Sequence, residues 1–321
     1  MGVKIGYFAI TDAWTPTECV RQAIEAERMG FDALWVEDHF ISMPGGTECN
    51  FAWTVMSSAL QATERAPFMT GVTAPIMRYH PAVVAQAFAT MGAMYPGRVG
   101  IGVGTGEPPN EMALRGGEFP SNSTRLEMLE EALTVMNRLW TSAEPVSFAG
   151  KYYTLNNAVI LTKPEEKIPV YVSAIGPRAA NLAGRLGDHL ISFANDPQYV
   201  KEELLPNFEA GAREAGKDPK TMERAGHLVY VYDPDQVVAP ESLQQDAGTV
   251  SGSVLSRAMS SEIISIFHSA EDFIKKIEEL KRMGYDHIAI ANGTRGPIAS
   301  GARLDEAASL KVWEDVFPHV R

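Results

Sequence analysis

A histidine and a glutamate stand where they could exchange a proton with a substrate. Asp38-His39 follows the apolar run Ala33–Val36, and Glu107 follows the glycine-rich end of a second apolar run. A histidine and a carboxylate on neighbouring loops form a credible general base and general acid pair. The same residues also suit purely structural roles, as a hydrogen-bonded core histidine and a helix-capping glutamate. The residues alone leave both interpretations open.

Asp12, which follows the first apolar run of the chain, is a third candidate for acid–base chemistry. Metal binding is not expected nearby. Glu37, Asp38 and His39 are consecutive, so we expect their side chains to point in different directions, and no second ligand cluster has suitable spacing. The sequence therefore predicts no metal site.

The elements that would position these residues alternate between strand-like and helix-like patterns. Eight strands are predicted, at 3–8, 33–36, 68–72, 98–103, 169–173, 190–193, 227–232 and 287–291. This alternation implies a parallel sheet, either open and doubly wound or closed into a barrel. The strand number favours the barrel, and the stretch from Gly100 to Gly106 lacks the G-x-G-x-x-G spacing of a dinucleotide-binding fold. We predict an α/β fold, a single (β/α)8 TIM barrel over residues 1–321, with insertions near 107–123, 145–162 and 234–268.

In such a barrel, reactive groups lie on the loops that follow the carboxyl ends of the strands. Asp12, His39 and Glu107 all meet this condition. His189 and His287 lie at strand starts, so we expect them at the opposite, stabilising face. Position in the barrel therefore favours His39 as the reactive histidine.

Composition and charge narrow the class of protein. The chain has 321 residues and a net charge of −12, which disfavours nucleic acid and anionic membranes as partners. The first residues do not resemble a secretory signal, and no apolar stretch reaches the roughly 18 residues of a membrane span. Cys19 and Cys49 form no C-x-x-C pair, which suits free thiols in a reducing cytoplasm. We expect a cytoplasmic protein whose partner is a small molecule.

Four longer motifs follow one another in a specific order. They are Trp35-Val-Glu-Asp-His-Phe40, Pro75–Thr90, Tyr95–Glu107 with Asn110-Glu111, and Pro169–Pro177 with Ala183–Asp188. Together they resemble the coenzyme F420-dependent oxidoreductase branch of the luciferase-like monooxygenase superfamily. The match covers residues 5 to about 232, and within the branch it is strongest to enzymes that oxidise secondary alcohols or glucose 6-phosphate.

The resemblance implies coenzyme F420 as cofactor, with FMN as the alternative. His39 would remove the alcohol proton while a hydride passes to the deazaflavin, and Glu107 would serve the proton exchanged at the ring. Asp12, near the hydride-transfer site, stands where relatives carry a glutamate in the first loop. A non-prolyl cis peptide, matching Gly71–Val72, would lie behind the ring. The residues expected to contact the cofactor are Asp38, Gly71, Val72, Ala74, Thr105, Gly106, Asn110, Ile175, Gly176, Arg178 and Ala179, the last four at a helix start that could hold a phosphate.

Several positions depart from these relatives and bear on the substrate. The glucose 6-phosphate enzyme grips its phosphate with a lysine where this chain has Asp196, which would repel a phosphate. Phe193 replaces a hydroxyl residue and Met43 replaces a tryptophan near His39. We therefore predict that glucose 6-phosphate is not the substrate and that the pocket is largely apolar, with core packing as the alternative role of each apolar residue. The predicted pocket residues are Met43, Phe51, Trp53, Met77, Phe193 and Asp196.

The predicted function is F420-dependent oxidoreduction of a secondary alcohol or ketone. Three alternatives stay open: a methylene-tetrahydromethanopterin reductase, an FMN-dependent luciferase-like monooxygenase, and a barrel that binds the deazaflavin without turning it over. The resemblance also implies a homodimer.

Overall fold

Eight parallel strands form a nearly closed barrel in the computed structural model, which describes residues 2–42, 46–238, 258, 264–293 and 306–320. In order around the barrel they are β1 (Lys4–Ala9), β2 (Ala33–Val36), β3 (Phe68–Thr70), β4 (Ile101–Val103), β7 (Val170–Ser173), β8 (His189–Ser192), β9 (Arg224–Tyr232) and β11 (His287–Asn292), and β11 returns to β1. Between β3 and β4 the contact consists of two parallel bridges, Phe68–Val99 and Thr73–Val103. All eight predicted strands are present, and the predicted barrel is confirmed. The other described strands are β5 (Val146–Ala149), β6 (Thr154–Ala158) and β10 (Ile264–Phe267).

Side chains of the barrel strands alternate between the lumen and the surrounding helices. On β1, Tyr7 points outward, where its hydroxyl donates to Gln22 (2.7 Å) and its ring packs against Phe31. The next residue, Phe8, points inward and meets the ring of His227 on β9. Both faces are therefore buried, which explains the continuous apolar runs that identify these strands in the sequence.

Helices cover the outside of the barrel and follow their sequence signals. The first begins after Thr15, whose side chain accepts from the N–H of Glu18, and ends at Gly30 with φ of 98°. No helix in the described ranges has both the length and the apolar character that a membrane span requires. The helices are Pro16–Met29, Ala52–Ala62, Pro81–Met94, Pro108–Arg115, Asn122–Thr141, Pro177–Leu186, Pro197–Tyr199, Leu205–Glu214, Ala270–Met283, Glu306–Lys311 and Trp313–Val320.

The predicted insertions contain regular structure. Residues 145–162 hold the antiparallel hairpin β5–β6. Residues 107–123 include the helix Pro108–Arg115, and the prolines at its first positions favour a helix start. Residues 234–268 include β10, an unpredicted strand that pairs in parallel with the end of β9; most of the remainder lies outside the described residues. That the whole chain is one domain stays a prediction.

A hydrogen-bonded cluster fills the amino-terminal end of the barrel. The indole N–H of Trp35 donates to Nε2 of His287 (3.3 Å), so Nδ1 of His287 carries a proton and donates to Glu223 (3.2 Å). Glu223 also accepts from Tyr171 (2.8 Å) and pairs with Lys4. Burial opposes the charge of Glu223, but these partners hold the pKa of its carboxyl well below the usual range. His287 thus belongs to the stabilising face, as predicted, and the opposite end is left for chemistry.

Candidate active site

The predicted catalytic and cofactor residues come together at the carboxyl end of the barrel. Each lies on a segment that follows a barrel strand, as the barrel rule requires. The roles of the individual residues stay predictions. The segments carry Asp12 after β1, Asp38 and His39 after β2, Gly71, Val72 and Ala74 after β3, Thr105, Gly106, Glu107 and Asn110 after β4, Ile175, Gly176, Arg178 and Ala179 after β7, and Phe193 and Asp196 after β8.

His39 is held by two carboxylates. Its Nδ1 lies 3.1 Å from Oδ2 of Asp12 and 3.9 Å from Oε2 of Glu37. Oε1 of Glu37 accepts hydrogen bonds from the backbone N–H of Asp12 (2.9 Å) and the hydroxyl of Thr11 (3.2 Å). The ends of β1 and β2 are therefore joined through one carboxylate, directly beside the imidazole.

The expectation that Glu37 and His39 diverge is wrong. Residues two apart on an extended segment project to the same side, and Asp12 reaches the same point from β1. The three side chains offer ligand atoms that all lie within 4.8 Å of one another. The directions of these side chains therefore do not exclude a metal here, although the 3.1 Å contact between His39 and Asp12 is that of a direct hydrogen bond.

The carboxylates around His39 decide its charge. Burial opposes protonation, but the charge of Glu37, the hydrogen bond and charge of Asp12, and the charge of Glu107 outweigh it and raise the pKa of His39 to about 9. Burial is also the main cause that raises the pKa of Glu37 to about 7, against the opposing charge of His39. These carboxylates therefore favour the protonated imidazole at neutral pH.

Asp38 is the centre of a second buried network. Its Oδ2 accepts from Thr73 (2.7 Å), and its Oδ1 accepts from Arg78 (3.0 Å) and Tyr79 (3.2 Å). The indole N–H of Trp53 donates in turn to Thr73 (3.2 Å). Burial raises the pKa of Asp38, while Arg78 and the two hydroxyls favour its charged form. Three of these partners, Thr73, Arg78 and Tyr79, were missed by the sequence reasoning.

Asn110 fixes the chain immediately beyond His39. Its Oδ1 accepts from the backbone N–H groups of Phe40 (2.7 Å) and Ile41 (2.9 Å). The neighbouring Glu111 is buried and accepts from the backbone N–H of Arg78 (2.8 Å). The helix after β4 is therefore bonded to the segments after both β2 and β3.

Glu107 occupies the N-cap position of the helix Pro108–Arg115 but forms no side-chain capping bond. Its side chain is exposed at the barrel mouth. The Glu107 side chain therefore does not cap this helix, which was the alternative to an acid–base role.

Glycines bring the backbones of β3 and β4 close together. The peptide Gly71–Val72 is cis, as the resemblance implied. A Cβ on Gly71 would lie 2.4 Å from the ring of Phe8, and one on Gly104 would lie 2.7 Å from Val72. Gly106 adopts φ of +69°, and its Cβ would lie 2.8 Å from Glu111. Packing against Phe8, Val72 and Glu111 therefore leaves no space for a Cβ at these three positions.

The helix Pro177–Leu186 offers a site for an anion at its start. Gly176 is its N-cap residue and has no side chain to cap the first turn. The backbone N–H groups at such a start favour a negatively charged group. The carbonyl of Ile175, just before it, accepts from the hydroxyl of Tyr199 (2.9 Å), which fixes the approach to this turn.

The predicted pocket residues differ in their burial and in their hydrogen bonds. Phe193 and Met77 are half-buried, and Phe51 is exposed. Trp53 is buried and supports Thr73, and Oδ1 of Asp196 accepts from the N–H of Tyr199 (2.7 Å) at a helix start. Met43 lies outside the described residues. Their contact with a substrate stays a prediction.

His227 is a residue to which the sequence reasoning gave no role. Its ring lies between Phe8 and Phe193, with centroid distances of 4.5 and 4.3 Å. In the described part of the chain neither ring nitrogen has a hydrogen-bond partner, and burial lowers the pKa of His227 to about 3. A neutral aromatic layer therefore lies beneath the mouth.

Comparison with known proteins finds a matching family model and similar relatives. The model of the luciferase-like monooxygenase family matches residues 3–299. The F420-dependent glucose-6-phosphate dehydrogenase of Microbacterium testaceum (strain StLB037) is 39% identical over 241 residues, covering 74% of this chain and 71% of the relative. That of Kribbella flavida (strain DSM 17836 / JCM 10339 / NBRC 14399) is 40% identical over 244 residues, covering 75% and 73%.

Two solved structures extend the comparison. An F420-dependent secondary alcohol dehydrogenase, in complex with an F420-acetone adduct, is 40% identical, with a TM-score of 0.89 and full coverage of both chains. The coenzyme F420 dependent tetrahydromethanopterin reductase from Methanopyrus kandleri also covers both chains fully, with a TM-score of 0.77. At 22% identity, this second likeness shows the shared fold alone.

Proposed function

This chain belongs to the luciferase-like monooxygenase family, and from that premise we propose that it transfers a hydride between coenzyme F420 and a small secondary alcohol or ketone. Dependence on F420 and oxidoreductase activity rest on close relatives at 39–40% identity. The observation that carries the substrate class is the 3.1 Å contact between His39 and Asp12 at the barrel mouth. An imidazole oriented by a carboxylate is well suited to remove a hydroxyl proton.

The residues present fit the cofactor. The helix start at Gly176 has no side-chain cap, so its backbone N–H groups suit a phosphate. Asp38, Thr105, Gly106 and Asn110 would hold the ring, and Ile175, Arg178 and Ala179 would lie along the phosphate. When bound, F420 supplies a two-electron hydride carrier.

His39 performs the proton transfer in this proposal. In the oxidative direction Nε2 takes the hydroxyl proton as the carbinol hydride leaves, and a carbonyl group is formed. In the reductive direction the protonated imidazole returns that proton to the carbonyl oxygen. Asp12 keeps the ring oriented through Nδ1, and Glu107, exposed beside the mouth, serves the proton exchanged at the cofactor ring.

The charges at the mouth disfavour a phosphorylated substrate. Asp196 stands where the resemblance places a phosphate-gripping lysine, and it is used to cap a helix. Asp12, Glu37 and Glu107 add further acidic groups around His39. A dianionic phosphate would be repelled by these carboxylates. A neutral substrate that packs on Phe193 suits the site better.

We therefore expect F420 reduction with a graded series of aliphatic and aryl secondary alcohols, and F420H2 oxidation with the matching ketones. The measurement is deazaflavin absorbance in both directions, and glucose 6-phosphate should give no rate above the substrate-free background. A higher kcat/KM for glucose 6-phosphate than for every alcohol and ketone tested would show that the substrate assignment is wrong. Glucose alone is the control that separates an effect of the phosphate from one of the sugar.

A further inference from the structure

The proposed role of His39 leaves one nearby carboxylate without a task. Glu37 is not part of the expected acid–base set, yet its side chain is largely buried and its Oε2 lies 3.9 Å from Nδ1 of His39. Oε1 of the same carboxylate is already engaged by Thr11 and by the backbone of Asp12. The second oxygen, Oε2, is therefore the one that lies beside the imidazole.

We propose that Glu37 is a positioning residue that, together with Asp12, keeps a proton on Nδ1 of His39, so that Nε2 alone exchanges a proton with the substrate oxygen. The inference rests on the proposed function for the identity of the substrate oxygen. The position of the proton on the imidazole does not depend on the proposed function. Two carboxylates on one side of a ring favour the tautomer that carries its proton on that side.

The geometry supports this role in two ways. The hydrogen bond from the N–H of Asp12 to Glu37 fixes the backbone that carries the Asp12 carboxylate, so Glu37 also orients the first partner of His39. The Glu37 carboxylate then adds a negative charge beside Nδ1, which stabilises the protonated ring. One residue therefore sets both the direction and the charge of the imidazole.

The other charged groups around the cluster are consistent with this effect. Three carboxylates face His39: Asp12 on the loop after β1, Glu37 at the end of β2 and Glu107 on the loop after β4. All three favour the protonated form of the imidazole. Asp38 is compensated by Arg78. Burial and the neighbouring Asp12 raise the pKa of Cys49 to about 11, so this thiol stays neutral near neutral pH.

The proposal predicts how turnover depends on pH. A raised pKa of His39 means that the base form appears only as pH rises through that value, so alcohol oxidation should increase with pH. Ketone reduction needs the protonated ring and should decrease over the same range. Removing the charge of Glu37 lowers the pKa of His39, so both midpoints should move down together, by about one to two pH units.

Glu37→Gln is the sharpest test because the amide oxygen can still accept from Thr11 and Asp12. Thr11→Val is the matched control, since it removes one of these hydrogen bonds and keeps the charge. Both proteins, without and with bound F420, are labelled at histidine with ¹³C and ¹⁵N and titrated by NMR. His39→Gln identifies the signal of His39 among the seven histidines.

The expected result is a downward shift of the His39 titration in Glu37→Gln, none in Thr11→Val, and ¹⁵N shifts that place the proton of neutral His39 on Nδ1. An unchanged titration in Glu37→Gln, an equal shift in both variants, or a neutral ring protonated on Nε2 would overturn the proposal. If the NMR titration shifts but the turnover midpoint does not follow, the positioning role stands and the assignment of His39 as the substrate's base fails.

Discussion

His39→Ala is expected to lower kcat/KM by about 10²- to 10⁴-fold in both directions, while the affinity for F420 changes little. The variant removes the only group that the account assigns to exchange of the substrate proton. It leaves the glycine-lined backbone and the Gly176 helix start unchanged. Steady-state kinetics with a secondary alcohol and with its ketone, combined with an F420 binding titration, measure the two effects separately.

The matched control is His319→Ala, an exposed histidine in the last helix, remote from the barrel mouth in sequence and in role. It should retain wild-type kinetics. Full activity of His39→Ala would remove the proposed base, and a parallel loss of F420 affinity would point to a binding role for His39 instead.

Arg78→Ala is expected to destabilise the protein by about 3–5 kcal/mol, because it leaves a buried carboxylate without its counter-charge. The side chain of Arg78 is only 3% exposed and that of Asp38 only 1%. Its guanidinium donates to both the carboxylate (3.0 Å) and the backbone carbonyl (2.7 Å) of Asp38. Urea unfolding followed by circular dichroism measures the loss.

Adding Asp38→Asn to Arg78→Ala should recover part of the stability, because the buried charge is then removed as well. The exposed pair Arg213–Glu209 provides the control, and Arg213→Ala should shift the unfolding midpoint little. If Arg78→Ala is no more destabilising than Arg213→Ala, the Asp38 network does not support the mouth as described.

The fold could be predicted because the barrel strands carry continuous apolar runs separated by helix-capping signals. Val36 ends β2 as predicted, and the other barrel strands differ from their predicted bounds by a few residues. β10 was missed because it has four residues, Ile264–Phe267, and follows a stretch rich in Ser, Gln and Gly. Its pairing with β9 depends on tertiary contact and has no local signal.

The sequence predicted which segments carry the site better than it predicted which side chains contact one another there. Strand ends pointed to Asp12, His39 and Glu107, whereas Glu37 was set aside because adjacent residues were expected to diverge. The two-residue period of an extended chain, applied to Glu37 and His39, would have brought them together. Arg78 gave no such signal, since the burial of an arginine depends on Asp38 and Tyr79 in the folded protein.

The most direct test of the central claim is an equilibrium titration of the purified protein with F420 and, separately, with FMN, followed by cofactor fluorescence. We predict saturable binding of F420, weak or no binding of FMN, and a change in deazaflavin absorbance when a secondary alcohol is added to the F420 complex. Tight binding of FMN without binding of F420 would contradict it.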